Sequence, residues 1–269
     1  MRLLAISDLH LGHPANRDNL DSIGSSPQDW LILAGDVGET EAHLAMAFER
    51  LRPRFARLIW VPGNHELWAT DRSGGGLRGA ARYEALVALA RSYGVVTPED
   101  PYPEWPGGGR PLRIAPLFTL YDYSFRPDHV SADKVLDWSA EEGVVCADEA
   151  FLDPSPYPDR AAWSAARVAS TEARLAALPE TAATILISHF PLRRAHARLP
   201  RVPRFSPWCG TRATEDWCRR FRAVAVVYGH LHIRQSFEED GVLFHEVSLG
   251  YPRQWDQQRG MASYVRVIL

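Results

Sequence analysis

The chain has 269 residues, of which 46% are hydrophobic, and its formal net charge is -3. A chain of this length and composition can bury a substantial core, and one domain is ordinary for α/β proteins of this size. The small net charge excludes a general electrostatic attraction to nucleic acids or anionic membranes, so any basic surface must be local.

Residue usage excludes further classes of protein. Lys134 is the only lysine, and because no glycine-rich loop precedes it, a P-loop nucleotide site is excluded. Cys146, Cys209 and Cys218 are too few and too scattered for a disulfide framework or a zinc knuckle, and they suit a reducing compartment. The N-terminus has no signal-peptide pattern, and no apolar run reaches the ~18 residues of a membrane span. We therefore expect a cytoplasmic protein.

Strands and helices alternate in the first part of the chain. Met1 to Ser7, Asp29 to Ala34 and Leu58 to Val61 are apolar runs typical of buried strands. Glu41 to Arg52 has its apolar residues at helical spacing. Continuous apolar strands in alternation with helices predict a largely parallel sheet that is covered by helices.

The later elements are more varied. The run from Ser73 to Gly76 predicts a flexible loop, Ala81 to Tyr93 a helix, and the Ala-rich stretch from Arg160 to Leu178 the longest helix. The remaining predicted strands are Leu112 to Leu117, Thr184 to Ser188, Val224 to Tyr228, Arg234 to Phe237, Val242 to Val247 and Ser263 to Leu269.

Two segments have no regular period. The first, from Tyr121 to Pro158, is aromatic, acidic and interrupted by prolines, and the second, between His189 and Thr214, is rich in arginine. We interpret them as parts of lid-like insertions, at about 101–158 and 191–213, in a single domain that spans residues 1–269.

Five apolar runs end in side chains that commonly bind metals. In chain order these are Asp8 and His10, then Asp36, then Asn64 with His65 and Glu66, then His189, and finally His230 and His232. Ligands of open α/β sheets usually bind at the carboxyl ends of the strands, so we expect these residues to share one place. Mixed oxygen and nitrogen donors without thiolate favour manganese, iron or zinc over magnesium or calcium. The pattern predicts a dinuclear metal site.

Local spacing assigns further roles. Asp8 and His10 alternate with Leu9, so in an extended segment both side chains would point to the same side. His230 and His232 have the same spacing. Asp36, at the end of a central strand, is the natural bridge because one carboxylate has two oxygens for two ions.

The ordered blocks Asp-x-His, Gly-Asp, Gly-Asn-His-Glu, a single His after a strand, and Gly-His-x-His resemble the calcineurin-like metallophosphoesterase family. The resemblance extends from Asp8 to His232. It implies an α/β fold, a four-layer αββα sandwich with two mixed β-sheets, and a metal site at the strand C-terminal ends. It also implies the ligands, which are Asp8, His10, Asp36 and His232 for one ion and Asp36, Asn64, His189 and His230 for the other.

The same resemblance implies a mechanism. Two metals ~3.5–4 Å apart lower the pKa of a shared water, supply hydroxide at neutral pH and clamp the reacting oxygens of an in-line displacement. His65 corresponds to a histidine that is not a ligand, and it would act as general acid for the departing alkoxide or as an electrostatic stabiliser. We expect Mn/Fe or Mn/Mn, and zinc also suits the ligand set.

Four other stretches resemble the actinobacterial phosphopantetheinyl hydrolases, members of this family that cleave 4'-phosphopantetheine from acyl carrier proteins. These stretches are Gly94 to Pro103, Leu120 to Phe125, Trp208 to Thr211 and Leu249 to Arg253. The resemblance implies a phosphodiesterase whose macromolecular substrate is the holo-acyl carrier protein. Alternative functions are a nucleotide or cyclic-nucleotide phosphodiesterase or phosphatase, a DNA nuclease, and a metal-free scaffold without activity.

The nuclease and the scaffold are the less favoured alternatives. The chain lacks the basic balance of a nonspecific DNA-binding protein, and every ligand position holds a residue that can bind a metal. Substrate-binding candidates are His13, Arg193 and Arg194. His13 either contacts substrate or only caps its loop. Arg193 and Arg194 open an Arg-rich segment that either attracts an acidic carrier protein or is a solvated loop.

Overall fold

The computed structural model describes residues 1–70, 76–107, 109 and 111–269. Its strands are β1 (Leu3–Ile6), β2 (Ser26–Leu33), β3 (Phe55–Trp60), β4 (Leu112–Pro116), β5 (Ala183–Ile187), β6 (Ala223–Tyr228), β7 (Ser236–Glu239), β8 (Val242–Glu246) and β9 (Arg266–Val267). Its helices are α1 (Pro14–Asn19), α2 (Glu41–Leu51), α3 (Gly79–Ser92), α4 (Val135–Ala140), α5 (Asp148–Phe151), α6 (Arg160–Ala176) and α7 (Trp217–Arg220).

The strands form two mixed sheets. The first has the order β3-β2-β1-β9, in which only the β1–β9 pair is antiparallel. The second has the order β4-β5-β6-β8-β7, in which only the β7–β8 pair is antiparallel. The expected α/β fold with two mixed sheets is therefore confirmed.

Both faces of each sheet carry apolar side chains, so one face can pack on the other sheet and one on helices. Ala5, Ile32 and Ile59 of the first sheet join Ile185 and Val227 of the second in one fully buried cluster. The opposite face of the first sheet packs on α2 and α3, and that of the second packs on α6 and α7. These contacts give the four layers that the family resemblance implies.

Element bounds depart from expectation near the C-terminus. The predicted strand from Ser263 to Leu269 is wrong over most of its length, because a 3-10 turn covers Met261–Tyr264 and β9 has two residues. Tertiary contacts explain the turn, since the buried Met261 donates its N–H to Ser22 and the Tyr264 ring packs on Trp255. The predicted flexible run lies outside the described residues at positions 73–75.

The two irregular segments pack on each other beside the strand ends. Trp208 of the second segment donates a 2.7 Å hydrogen bond to Glu149 of the first, and Arg204 pairs with Glu141. The reading of both segments as lids on a single domain stays a prediction. Within the described ranges, no helix combines the length and the apolar character needed to cross a bilayer.

Asp29 in β2 binds Arg2, the residue before β1. Its carboxylate accepts hydrogen bonds from the backbone and guanidinium N–H groups of Arg2 at 2.7–2.9 Å and from the Ser26 hydroxyl at 2.6 Å. Burial opposes ionisation, but these donors hold the pKa of Asp29 below its usual value.

We therefore expect Asp29→Asn to lower the free energy of unfolding by about 1–3 kcal/mol at pH 7. Because the pKa is lowered in the folded state, this contribution is full above the unfolded-state pKa of about 3.9 and is lost as the pH falls through the folded value. Urea unfolding of both proteins at pH 7 and in acid measures the difference. An equal difference at both pH values would contradict this role of the carboxylate.

Candidate metal centre

The predicted metal-binding side chains all follow carboxyl ends of strands. β1 leads to Asp8 and His10, β2 to Asp36, β3 to Asn64, β5 to His189, and β6 to His230 and His232. Their donor atoms fall into groups within 4.8 Å, which are Asp8, His10 and His232, then His10, Asp36 and His65, then Asp36, His189 and His230. The structure therefore brings the ends of both sheets together in one cluster, as the sequence predicts.

One side of the cluster is built around Asp8. Its Oδ1 lies 3.0 Å from His232 Nε2 and 3.9 Å from His10 Nε2, and the two Nε2 atoms are 3.2 Å apart. Ser248 donates a 2.7 Å hydrogen bond to the other oxygen, Oδ2, and so fixes the direction of the carboxylate.

The other side is built around Asp36 and His189. Asp36 Oδ2 lies 3.4 Å from His189 Nε2, which is also 3.2 Å from Asn64 Oδ1. Asp36 belongs to one group with His10 and to another with His189 and His230. It therefore lies between the two sides, which is where a bridging carboxylate must be.

The expected extended geometry of the two His-containing pairs is wrong. Asp8 has φ 53° and His10 φ 43°, while His230 has φ 70° and His232 φ 55°, so these residues adopt left-handed rather than extended backbone. Their side chains still converge, but through tight turns at the strand ends. Asp36, at φ 51°, shares this conformation. Non-glycine residues held in this region carry a cost that functional sites commonly bear.

The donor set fits cations. Nε2 of His230 is buried without a hydrogen-bond partner among the described residues. Burial lowers the pKa of the His230 and His10 rings to about 3, so both are neutral at physiological pH and can offer a lone pair. Burial disfavours the protonated form of His189, but the Asp36 carboxylate outweighs this effect and raises the pKa of His189 to about 10. The buried carboxylates therefore require a positive charge beside them, and metal ions would supply it.

Hydrogen bonds orient two of the rings. His189 donates from Nδ1 to the Ala34 carbonyl at 2.9 Å, which leaves Nε2 facing Asp36. His232 lies 2.8 Å through Nδ1 from the Gln254 side-chain oxygen, which leaves its Nε2 facing Asp8. Such partners fix the tautomer of metal-binding histidines. No sequence pattern predicted this role of Gln254.

Glu66 joins the loops after β2 and β3. Its fully buried carboxylate accepts hydrogen bonds from the backbone N–H groups of Asp36, Val37 and Gly63 at 2.7–2.9 Å. Burial, with the Asp36 charge next, raises the pKa of Glu66 to about 7. At Gly63 a side chain would overlap Asp36 Oδ1, so only glycine allows this approach.

His65 lies beside the cluster. Its Nε2 is 3.8 Å from Asp36 Oδ2, its Nδ1 is 3.4 Å from Glu39 Oε1, and its ring stacks on Trp68 at 3.7 Å. Burial disfavours the protonated form of His65, but the carboxylates of Asp36, Glu39 and Asp148 outweigh this effect and raise the pKa of His65 to about 9. A proton is therefore held on this ring at neutral pH. Glu39, which follows the Gly-Asp block, was missed in the sequence.

A cavity of about 330 Å³ opens onto the cluster. Asp36, Asn64, His65, His230 and His232 form its polar side. Val145, Leu199, Val202 and Phe205, which come from the two irregular segments, contribute an apolar wall, and Val145 is 72% exposed. The cavity can therefore hold a charged group at the cluster and an apolar group against the wall.

A sequence model of the calcineurin-like phosphoesterase family matches residues 1–234. The chain belongs to this family. It is accordingly a phosphoric ester hydrolase, and the family together with the histidine and aspartate groups supports a dinuclear metal site.

The chain is also similar to a curated relative, the [acyl-carrier-protein] phosphodiesterase PptH of Mycobacterium tuberculosis. The two are 49% identical over an alignment of 269 positions, which covers 99% of this chain and 83% of the relative. A crystal structure of that phosphopantetheinyl hydrolase matches with a TM-score of 0.94, covering 100% of this chain and 95% of the other at 49% identity. This calcineurin-like phosphoesterase therefore has the same fold as that enzyme over the matched residues.

The three predicted substrate-binding residues do not belong to the donor groups of the cluster. His13 is exposed, its ring lies 5.4 Å from that of Tyr251, and its carbonyl oxygen accepts the N–H groups of Asn16 and Arg17 at the start of α1. The backbone of His13 therefore caps the loop where α1 begins. Contact between the His13 side chain and the substrate stays a prediction.

Arg193 and Arg194 are engaged by protein carboxylates. Arg193 lies 2.9 Å from Asp240 and lines a separate depression that also contains Glu215. Arg194 lies 3.4 Å from Asp128. These ion pairs offset part of the positive charge of both side chains. Substrate binding by Arg193 and Arg194 stays a prediction.

Proposed function

We propose that this chain is a cytoplasmic, dinuclear metal-dependent phosphodiesterase that releases 4'-phosphopantetheine from holo-acyl carrier protein. The observation that carries the proposal is a ligand cluster at the floor of a cavity with one polar and one apolar side. The 49% identity to a carrier-protein phosphodiesterase over nearly the whole chain supports the same substrate.

The proposed ligands are those of the two sides described above, namely Asp8, His10, Asp36 and His232, and Asp36, Asn64, His189 and His230. When bound, two ions activate water and stabilise the charge on the phosphate oxygens. Mn/Fe or Mn/Mn suits these donors, and zinc is compatible with them. His65, held by Glu39 and by its stack on Trp68, donates a proton to the departing alkoxide.

The carrier protein must lie at the rim of the cavity during the reaction. The phosphate of the holo-carrier protein joins pantetheine to a serine side chain, so the bond that breaks lies at the carrier protein's surface. The rim segment, residues 198–202, carries Arg198 and Arg201, both of which are exposed. Neither forms an ion pair with another described residue, and the neighbouring Leu199 and Val202 line the cavity. We propose that these two arginines attract an acidic carrier protein.

Reversing both charges, Arg198→Glu with Arg201→Glu, is expected to lower kcat/KM for holo-carrier protein by about tenfold or more, because steering charges act on the encounter rate. A small chromogenic diester should be hydrolysed at the unchanged rate. The matched control, Arg219→Glu with Arg266→Glu, makes the same change of charge at two exposed arginines that do not line the cavity. Equal loss in both double variants, or equal loss on both substrates, would contradict the assignment.

Comparative turnover tests the proposed activity. With manganese added, holo-carrier protein, 3',5'-cyclic AMP, a nucleotide monoester and single-stranded DNA are compared at equal concentration. We expect the carrier protein to have the highest kcat/KM and to yield apo-carrier protein and 4'-phosphopantetheine. Faster turnover of the cyclic nucleotide or the monoester would overturn the substrate assignment, and faster turnover of DNA would indicate a nuclease.

A further inference from the structure

One buried carboxylate outside the family motifs reaches the proposed metal site. Asp148 begins α5 in the first irregular segment, and it is fully buried. Its Oδ1 accepts a 2.9 Å hydrogen bond from Asn64 Nδ2 and a 2.6 Å hydrogen bond from Trp68 Nε1. Its Oδ2 is buried without a partner in the described part of the chain. Burying a carboxylate is costly, so its position calls for a function.

The first hydrogen bond decides how the Asn64 amide is turned. An asparagine side chain has one oxygen acceptor and one NH₂ donor, and these exchange places when the amide rotates. Because Asp148 accepts only from the NH₂, Asn64 Oδ1 points the other way and lies 3.2 Å from His189 Nε2. With the amide reversed, an NH₂ group would face the cation and repel it.

The second hydrogen bond reaches His65 through an aromatic ring. The indole of Trp68 donates to the same oxygen of Asp148, and the ring stacks on His65 at 3.7 Å with an interplanar angle of 28°. A single carboxylate oxygen therefore restrains both a proposed metal ligand and the ring next to the proposed general acid.

Asp148 is itself held by Arg160 at the start of α6. The guanidinium donates to the carbonyl oxygens of Asp148, Glu149 and Leu152 and to the Glu149 carboxylate at 2.7–3.0 Å. Several donors of one planar group thus fix the short helix, which gives the Asp148 carboxylate a defined place.

We propose that Asp148 is a positioning residue that keeps the Asn64 carbonyl oxygen toward the ion shared with Asp36, His189 and His230. Through Trp68 it also aligns His65. The proposal rests on the ligand assignment of the proposed function. It gives the first irregular segment a specific task, because that segment supplies the group that completes the metal site.

Manganese binding separates this role from mere packing. Chelator-treated protein is titrated with Mn²⁺, and bound ions per chain are measured by equilibrium dialysis and by electron paramagnetic resonance. We expect Asp148→Ala to weaken one of two ions by about 10–100-fold, as is usual for partners of metal ligands. A mononuclear manganese spectrum should then replace the spin-coupled spectrum. Asp148→Asn should recover most of the affinity, because its amide oxygen can still accept both hydrogen bonds.

The control is Asp122→Asn, which alters another acid of the first irregular segment. The Asp122 carboxylate contacts Ser124 and Thr211 and is not part of the network around Asp148. This variant should keep two ions with unchanged affinity. Unchanged binding in Asp148→Ala, or equal weakening in Asp122→Asn, would overturn the proposal. If Asp148→Ala does not fold, Asp148→Leu fills the same space without an acceptor and is judged in the same way.

Asn64→Ala separates the assignment of Asn64 as a metal ligand from the positioning role of Asp148. We expect it to lose the same ion as Asp148→Ala. Two tightly bound ions in Asn64→Ala would refute the ligand assignment of the proposed function. Loss of one ion in Asn64→Ala, with both kept in Asp148→Ala, would refute the positioning role alone.

Discussion

Asp36→Asn is expected to reduce turnover of holo-carrier protein, and of every other phosphoester, by on the order of a thousandfold or more. The Asp36 carboxylate lies between the two sides of the cluster. His189 Nε2 is 3.4 Å from its Oδ2, and the backbone N–H of His65 donates to its Oδ1 at 2.9 Å. An amide offers only one oxygen acceptor and no charge, so it cannot bridge two cations. Losing both ions removes several kcal/mol of transition-state stabilisation.

The measurement pairs kcat/KM with metal content after dialysis. Asp29→Asn is the matched control, because it removes the same charge from a buried aspartate that fastens β1 to β2. That control should keep its ions and its activity at temperatures where it is folded. Full activity of Asp36→Asn, or retention of two tightly bound ions, would contradict the bridge.

His65→Ala is expected to lower kcat by about 10²–10⁴-fold on holo-carrier protein while both metal ions stay bound. The reason is the proton that the neighbouring carboxylates hold on this ring, whose pKa they raise to about 9 against the opposing effect of burial. A serine alkoxide is a poor leaving group and needs that proton. A nitrophenolate does not, so a chromogenic diester should lose much less rate in the same variant.

His43→Ala is the control for His65, because His43 also contacts Glu39, at 3.3 Å, but belongs to none of the donor groups. It should change either rate only slightly. If His65→Ala lost an ion, the residue would be a ligand. If it slowed both substrates equally, it would stabilise charge without donating a proton to the leaving group.

The strand ends could be predicted because their signal is local. Each apolar run that predicts a strand is followed at once by its polar residues, so the sequence alone predicts that Asp8, Asp36 and His189 lie together at the strand ends. The continuous apolar strands also predicted helices on the outer faces. The backbone conformation at the ligands was not predicted, because left-handed turns at Asp8 and His230 leave no pattern in residue type.

The partners of the ligands could not be predicted for a different reason. Gln254 contacts a residue 22 positions away, and Asp148 contacts one 84 positions away. Neither contact has a period or a motif, since both arise from the packing of irregular segments on the strand ends. The internal ion pairs of Arg193 and Arg194 were hidden in the same way. A run of charges predicts a surface but not which charges remain free.

Anomalous X-ray diffraction from crystals of the manganese-loaded protein would locate the metal ions themselves. We expect two peaks ~3.5–4 Å apart, with Asp36 between them, Asp8, His10 and His232 around one, and Asn64, His189 and His230 around the other. A single peak, or peaks away from these side chains, would contradict the dinuclear site on which the proposed hydrolysis depends.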